Sequence, residues 1–408
     1  MFRSSPAGEP AQHERGQVIV IVAVGMLAFI AMVALVVDGG HAWGEQRDSQ
    51  NGTDAAAEAG AVVLAKNLPY TIQGQAAPYS DANVLTAVQI TAGENNVDLD
   101  SAYYTDFNGN RLAGPIAVGS RGPAAPPTAA YGVEANGSKE FDTFLAGVIG
   151  FQTMTTRTTA TARTGVVSEA PPSTVLPITF PVTITGCDNT NGVVTDPVGS
   201  RWTLGQYYVV PLCSGGPGNV GWLDWDVHEP GTPDACDGHG NGTAELLCSV
   251  NSPSNPAMTI PDWFYVSQTG NQSTAGLQDA LNQYSVPPGP EQNAPAGTTV
   301  LIPLFDATCA DEPTGAGSEL ANACTAGPGH GQSMWYHLQD WTAFEIDWVD
   351  LNGGRSRCGT DSVVSGTPGN GSTGCFGGTF RGYMGPGVLR APGSGDVQAA
   401  YWGVALVR

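Results

Sequence analysis

The sequence predicts an α+β protein: an N-terminal transmembrane helix continuing into an Ala-rich helix on a small sheet, followed by a β-rich, disulfide-stapled domain. Three observations carry this expectation. Val18 to Val37 reads VIVIVAVGMLAFIAMVALVV, with no charged or amide side chain. Residues 55–65, AAAEAGAVVLA, are helix-forming and Ala-rich. All the cysteines lie beyond residue 186, among short apolar segments bounded by Gly, Pro and Asn.

Residues 1–15 are polar and contain prolines, which fits a short cytoplasmic tail. The apolar run spans roughly 30 Å as a helix, the thickness of a bilayer's hydrocarbon core, so residues 16–38 read as a membrane anchor. A cleaved signal peptide is the competing reading. Its apolar region is normally about 7 to 15 residues long, and Asp38-Gly39-Gly40-His41-Ala42-Trp43 is a poor cleavage context. A buried core helix would need many partner helices, and little else here reads as a long helix. Arg3 and Arg15 precede the run, whereas Asp38, Glu45 and Asp48 crowd its far side around Arg47. That bias places the N-terminus in the cytoplasm and the bulk of the chain outside, in a single-pass membrane protein.

Beyond the anchor, Ala55, Ala59, Val62 and Val63 fall at helical spacing and predict one narrow apolar face, with Thr53 or Asp54 as its cap. Gly39, Gly40, Gly44 and Gly52 are the expected weak points between the two helical stretches. Residues 84–105 alternate as strands do, Asp106 to Asn110 is a turn, and the Gly/Pro-rich stretch 113–128 reads as a mobile loop. The alternation of Thr and Arg over 152–163 is what a strand with one wet face requires. Residues 166–173, with Pro171-Pro172, read as a linker.

The remainder, 174–408, predicts strands at 174–185, 202–212, 297–308, 337–351 and 397–407, and one helix over 274–284 with Leu277, Leu281 and Tyr284 on one face and Ser273 near its cap. A sandwich or open barrel is the expected arrangement. Cys187, Cys213, Cys236, Cys248, Cys309, Cys324, Cys358 and Cys375 are an even set without a CxxC pair, which favours disulfides in an oxidising compartment over zinc. Pairing in sequence order, Cys187 with Cys213, Cys236 with Cys248, Cys309 with Cys324 and Cys358 with Cys375, staples four local loops. Other connectivities and free buried thiols stay open.

A net charge of -22 with only Lys66 and Lys139 as lysines repels phosphate backbones, which excludes nucleic acid as a partner. No catalytic residues, cofactor or metal are expected. The sequence holds no GxSxG elbow, HExxH helix or Walker loop. Asp237-Gly-His239-Gly-Asn241-Gly242 resembles the start of a calcium loop, but Cys248 stands where a bidentate Glu is needed, and Arg111 replaces the required Gly after Asp106-Phe-Asn108-Gly-Asn110. Trp222-Leu-Asp224-Trp225-Asp226 could form a sugar shelf beside carboxylates, though Trp in a small β core is the plainer reading. His228, His239, His330 and His337 belong to no recognisable catalytic spacing.

Gly16-Gln17, Val37-Asp38-Gly39, Arg47, Gln50-Asn51 and Asp54-Ala55-Ala56-Ala57-Glu58-Ala59-Gly60-Ala61 resemble the N-terminal region of the TadE/TadG-like Flp pilus-assembly proteins, and the likeness extends to about residue 165, where it implies a strand, a short helix around Phe141 to Ile149 and a Thr/Ala-rich closing strand. Departures are Glu58 in place of Leu and Gly52-Thr53 in place of Ala-Ala. Ile21 stands five residues after Gly16 where a processed pilin has Glu, favouring a TadG-like accessory over a pilin. That family's von Willebrand-type adhesion module needs DxSxS, which this chain lacks.

The resemblance implies a structural accessory of tight-adherence pilus assembly, anchored in the inner membrane, that acts through its extracytoplasmic domain and works with other pilus-assembly proteins. Small residues at Gly25, Ala28, Ala31, Ala34 and Gly39 permit close helix approach in lipid, so a second copy of the chain is also a candidate partner. The alternatives are an adhesin or cell-wall glycan-binding protein, with Trp222, Trp225, Trp263 and Trp348 as contacts, and an exported hydrolase.

Overall fold

The computed structural model describes residues 14–172, 174–187, 193–195, 201–212, 220–224, 236, 243–251, 256–269, 275–282, 299–309, 313, 334–351, 374–393, 396 and 400–407. Helix α1 (Glu14–Ile72) is a single element of 59 residues, roughly 88 Å long at 1.5 Å per residue. Its stretch from Val18 to Val37 is long and apolar enough to cross a membrane, and none of it is buried against the rest of the chain.

None of the four expected weak glycines interrupts α1, and Thr53 and Asp54 are mid-helix positions, not caps. A glycine costs a helix about 1 kcal/mol relative to alanine. Past Asp38 the helix gains contacts with a sheet that outweigh this. The buried face is also rotated from the expected one: Ala56, Ala57, Ala61, Leu64, Ala65 and Leu68 are buried, whereas Ala55, Ala59, Val62 and Val63 are half-exposed.

Helix α2 (Asp81–Glu94) occupies sequence expected to be extended. Its β-branched alternation is overridden because Val84, Val88 and Ala92, four residues apart, bury one helical face beside α1. Asn83 Oδ1 accepts hydrogen bonds from both the N–H (2.9 Å) and Oγ (2.8 Å) of Ser80 and fixes the start of α2.

Strands β1 (Asp98–Thr105), β2 (Gly132–Asp142) and β3 (Thr153–Ala170) form an antiparallel meander. Of the expected helix around 141–149, only a 3-10 turn (Ala146–Ile149) forms, because Phe141 and Asp142 remain in β2. The 113–128 stretch is tied down. The Asp81 carboxylate accepts from the backbone N–H groups of Gly119 (2.7 Å), Arg121 (2.6 Å) and Gly122 (3.1 Å), and from Tyr104 Oη. Burial, reinforced by that carboxylate, pushes the Tyr104 phenol far above its ordinary pKa. The wet and dry faces of β3 alternate as expected, with Thr156, Thr158, Ala160, Ala162 and Thr164 buried.

Residues Val166–Ala170, expected in a linker, are the end of β3. After it come β4 (Ile178–Pro181), β5 (Thr185–Cys187), β6 (Val193–Thr195), β7 (Tyr207–Leu212), β8 (Gly221–Leu223) and helix α3 (Thr243–Asn251). These are followed by β9 (Met258–Thr259), β10 (Asp262–Thr269), helix α4 (Ala275–Asn282), β11 (Thr299–Cys309), β12 (Met334–Asp350) and β13 (Gly374–Arg381). The short strands β14 (Tyr383–Met384) and β15 (Val388–Arg390) lead to β16 (Tyr401–Leu406).

The first sheet runs β1-β2-β3-β16-β14, with β15 and β9 also paired to β3. The second runs β10-β8-β4-β11-β12-β13-β7. Strand β10 also pairs with β12, Trp263 opposite His337, so β10, β8, β4, β11 and β12 close into a ring, in keeping with the expected barrel, and β13 and β7 extend from β12. Along β11, Val300, Ile302 and Leu304 face a core closed by Leu246 and Val250 of α3 and Leu277 and Leu281 of α4. Leu301 and Phe305 point the other way, into a core shared with Val167 and Ala170 of β3 and Tyr401 of β16.

The end of β3 and the chain's last strand therefore join the two sheets: Val166 and Trp402 pack with Ala65 and Leu68 of α1, while Val167 and Tyr401 pack with Trp341. Cys236 and Cys248 are bonded as expected, with Cα atoms 5.6 Å apart, and Cys309 and Cys375 are disulfide-bonded too. Cys213, Cys324, Cys358 and the side chain of Cys187 lie outside the described residues.

Candidate functional site

The part of α1 immediately beyond the apolar run is built as a seam against β2 and β3. Asp38 is the first charged residue after Arg15, and it is buried. Its Oδ1 accepts from the N–H of Phe144 (2.8 Å) and Leu145 (3.1 Å), and its Oδ2 accepts from Ala146 (2.5 Å). Three orphan donors at the start of a helical turn are thus satisfied by one carboxylate.

One turn on, the His41 ring meets Phe141 edge-on at 5.2 Å and Phe144 at 4.9 Å. Lys139 Nζ lies 2.7 Å from Glu45. Gln46 Nε2 donates to the carbonyl of Arg157 (3.3 Å), and Gln50 Nε2 to that of Thr159 (3.1 Å) and to Asp54 (2.7 Å).

The middle of the seam is a buried hydroxyl cluster. Thr53 Oγ1 donates to the Ser49 carbonyl (2.8 Å) and lies 2.6 Å from Thr158 Oγ1, which is 3.2 Å from Ser49 Oγ. Beyond it the backbones approach closely. A Cβ built on Gly52 would stand 2.6 Å from a Val97 methyl, and one on Gly60 would stand 2.8 Å from Val88 and 3.0 Å from Val133. Only glycine fits at these two crossings.

The sequence motif therefore divides. Asp38, Gln50, Asp54, Ala56 and Ala57 lie on or against the seam. Arg47 faces outward with its guanidinium 6.0 Å from the Trp43 ring, and Ala55 and Ala59 are half-exposed. Gly16 lies in the first turn of α1. Sequence reading missed His41, Glu45, Ser49, Gly52, Thr53 and Gly60 as one surface, together with Lys139 and Thr158 opposite. The signal was present as the spacing 38, 41, 45, 49, 52/53, 56, 60, a three-to-four-residue period carried by polar and small residues in place of large apolar ones.

What the seam does is mechanical: it fixes a domain to the end of an apolar helix by backbone hydrogen bonds and close packing. The other candidates fall elsewhere. Trp222 is fully buried in the core of the second sheet, so it is no exposed glycan contact, and Trp225 and Asp226 lie outside the described residues. The calcium-like loop leads into α3, where its twelfth residue, Cys248, is bonded to Cys236, while residues 237–242 lie outside the described residues. His337 is buried with Nδ1 2.6 Å from Asp306 and Trp263 packed on its ring; His228, His239 and His330 lie outside the described residues. Among the described residues, no group of three His, Cys, Asp or Glu side chains is placed to hold a metal.

Residues 16–63 match the family described as "Putative Flp pilus-assembly TadE/G-like". The matched stretch lies wholly within α1 and takes in the apolar run and the seam as far as Val63. No curated protein and no solved structure matches the chain.

Proposed function

We propose that the chain is a single-pass accessory of Flp-type pilus assembly, held in the inner membrane by Val18–Val37 with its N-terminus in the cytoplasm and residues 39 onward outside. The matched family is one of pilus assembly, and an apolar N-terminal helix fits a membrane-anchored member of it. The observation that carries the reading is the continuity of α1. The helix that would cross the bilayer enters the domain core without a break, and Asp38, Thr53 and Gly60 clamp it to the sheet. Anchor and domain would then move as one body, as a scaffold or alignment element requires and a tethered enzyme does not. The Cys236–Cys248 bridge supports an oxidising compartment for the second sheet. Pilus-assembly proteins, and a second copy of the chain, are the partners this reading names.

The test is purification of the tagged full-length protein from its native membrane in mild detergent, beside a version whose residues 18–37 are replaced by an unrelated membrane helix. Enrichment of pilus-assembly proteins with the native chain is expected. Recovery of cell-wall material alone, or of the same proteins with both chains, would overturn the reading. Protease protection on spheroplasts, with the N-terminal tag shielded and the C-terminal one cleaved, checks the orientation.

A further inference from the structure

The hairpin joining β2 to β3 ends in Phe144 to Phe151, FLAGVIGF, a stretch without a single polar side chain. A loop tip normally carries turn-forming polar residues on the protein surface. Here Phe144 is 64% and Phe151 65% exposed, and Met154 beside them is exposed too. The loop is nonetheless well held: Thr143 N–H donates to Gln152 O (2.9 Å), Phe151 N–H to Ala146 O (3.0 Å), and Asp38 takes the three N–H groups at 144–146.

What would cover those rings is indicated by where Asp38 stands. It directly follows the apolar run, so the carboxylate that grips the loop marks the level at which α1 leaves the hydrocarbon. Register along the seam gives the same direction. Thr158 lies beside Ser49 and Thr53, His41 beside Phe141, and Asp38 beside Phe144, so the hairpin descends toward the run as its residues approach the tip. Trp43, 69% exposed, lies about 7.5 Å further along α1, at the depth where Trp and Tyr gather at bilayer surfaces.

Resting on the reading that Val18–Val37 spans a bilayer, we propose that the Phe144–Phe151 tip inserts into the membrane–water interface beside the anchor, with Phe144 and Phe151 buried among lipid. The helix and the tip then form two membrane contacts joined through Asp38. Such a two-point attachment sets the tilt of the domain on the membrane, which a single helix leaves free.

The test places a photo-crosslinking benzoylphenylalanine at Phe144 or Phe151 in the full-length protein. The protein is reconstituted in vesicles of phosphatidylethanolamine and phosphatidylglycerol carrying an alkyne-tagged phosphatidylethanolamine. Leu27 in the anchor is the positive control. Ile90, 55% exposed on the domain, is the negative one. Lipid adducts at either phenylalanine position, several-fold above Ile90 and comparable with Leu27, are expected. Labelling of Leu27 with 144 and 151 at the Ile90 level overturns the inference and leaves the anchor standing. Adducts between protein chains at 144 and 151 in place of lipid also overturn it, making the tip a contact between copies. Absence of labelling at Leu27 removes the anchor reading and the inference with it.

Discussion

Asp38 and Ala146 are 108 positions apart in the chain, yet a carboxylate oxygen of the first lies 2.5 Å from the backbone nitrogen of the second. The contact closes the gap between the end of the apolar helix and the tip of the β2–β3 hairpin. Asp38→Ala removes the acceptor for three consecutive backbone donors. The amides of Phe144, Leu145 and Ala146 should exchange with solvent roughly tenfold faster, while those in the middle of β3 keep their protection. Hydrogen exchange on the detergent-solubilised protein measures this, and unchanged protection at 144–146 would show that the loop holds itself.

Gly60 and Gly40 lie on the same helix and should respond in opposite ways to alanine. Both changes gain about 1 kcal/mol of helix propensity. At Gly40 nothing lies within 4 Å of the new Cβ, so the gain stands. At Gly60 the new carbon meets methyl groups of Val88 and Val133, β-branched side chains with little rotameric freedom. Overpacking of this kind costs about 1 to 3 kcal/mol, so Gly60→Ala should lower the melting temperature. Val88→Ala placed beside it should restore part of the loss.

The hydroxyl cluster is suited to a double-mutant cycle. Thr158→Val leaves Thr53 and Ser49 with one buried partner fewer, an expected loss of about 1 to 3 kcal/mol. Thr53→Val alone should cost a similar amount. Because the two hydroxyls satisfy each other, the double variant should cost clearly less than the sum. Strict additivity in denaturant titrations would mean that the 2.6 Å contact contributes no coupling.

These residues also indicate how much the sequence made legible. The apolar helix and its continuation, the Asp106 turn, the wet face of β3 and helix α4 were readable because each is set by local composition or spacing, whereas the Cys236–Cys248 pair was one of several connectivities the spacing left open. Helix α2 was not, since its β-branched residues mimic a strand and only burial of Val84, Val88 and Ala92 against α1 selects the helix. The seam was half readable. Its motif residues stood out, but a face made of Asp, His, Ser, Thr and Gly carries no apolar signal, and its partners lie about a hundred residues away. The union of β3 with β16 was invisible for the same reason: Gly165 and Gly403 pair across most of the chain's length.

Helix α3 escaped sequence reading, and its disulfide gives it a checkable role. The Cys236–Cys248 bridge closes a loop of 12 residues, which in the chain-entropy model stabilises by about 3 kcal/mol. Replacing both cysteines with serine should lower the melting temperature of the second sheet by that equivalent. Non-reducing peptide mapping of the native protein should recover the 236–248 linkage, and recovery of either cysteine with another partner would refute the pairing.

Acid should loosen the first sheet in a defined window. The Asn110 N–H, joined by those of Asn108 and Gly109, holds Asp106 below its ordinary carboxylate range, and the Arg111 guanidinium does the same for Glu134. A group depressed in the folded state contributes stability that is complete above its unfolded pKa, about 3.9 for Asp and 4.3 for Glu, and is lost as pH falls through the folded value. The melting temperature should therefore change little from pH 7 to about 5 through these two groups and fall below that. Glu134→Gln removes one of the two carboxylates that must be protonated, so its curve should descend less steeply below about pH 4. Arg111 is well exposed, so the Glu134 share is small and should shrink further in high salt. Parallel curves for the two proteins at low salt would place the acid sensitivity elsewhere.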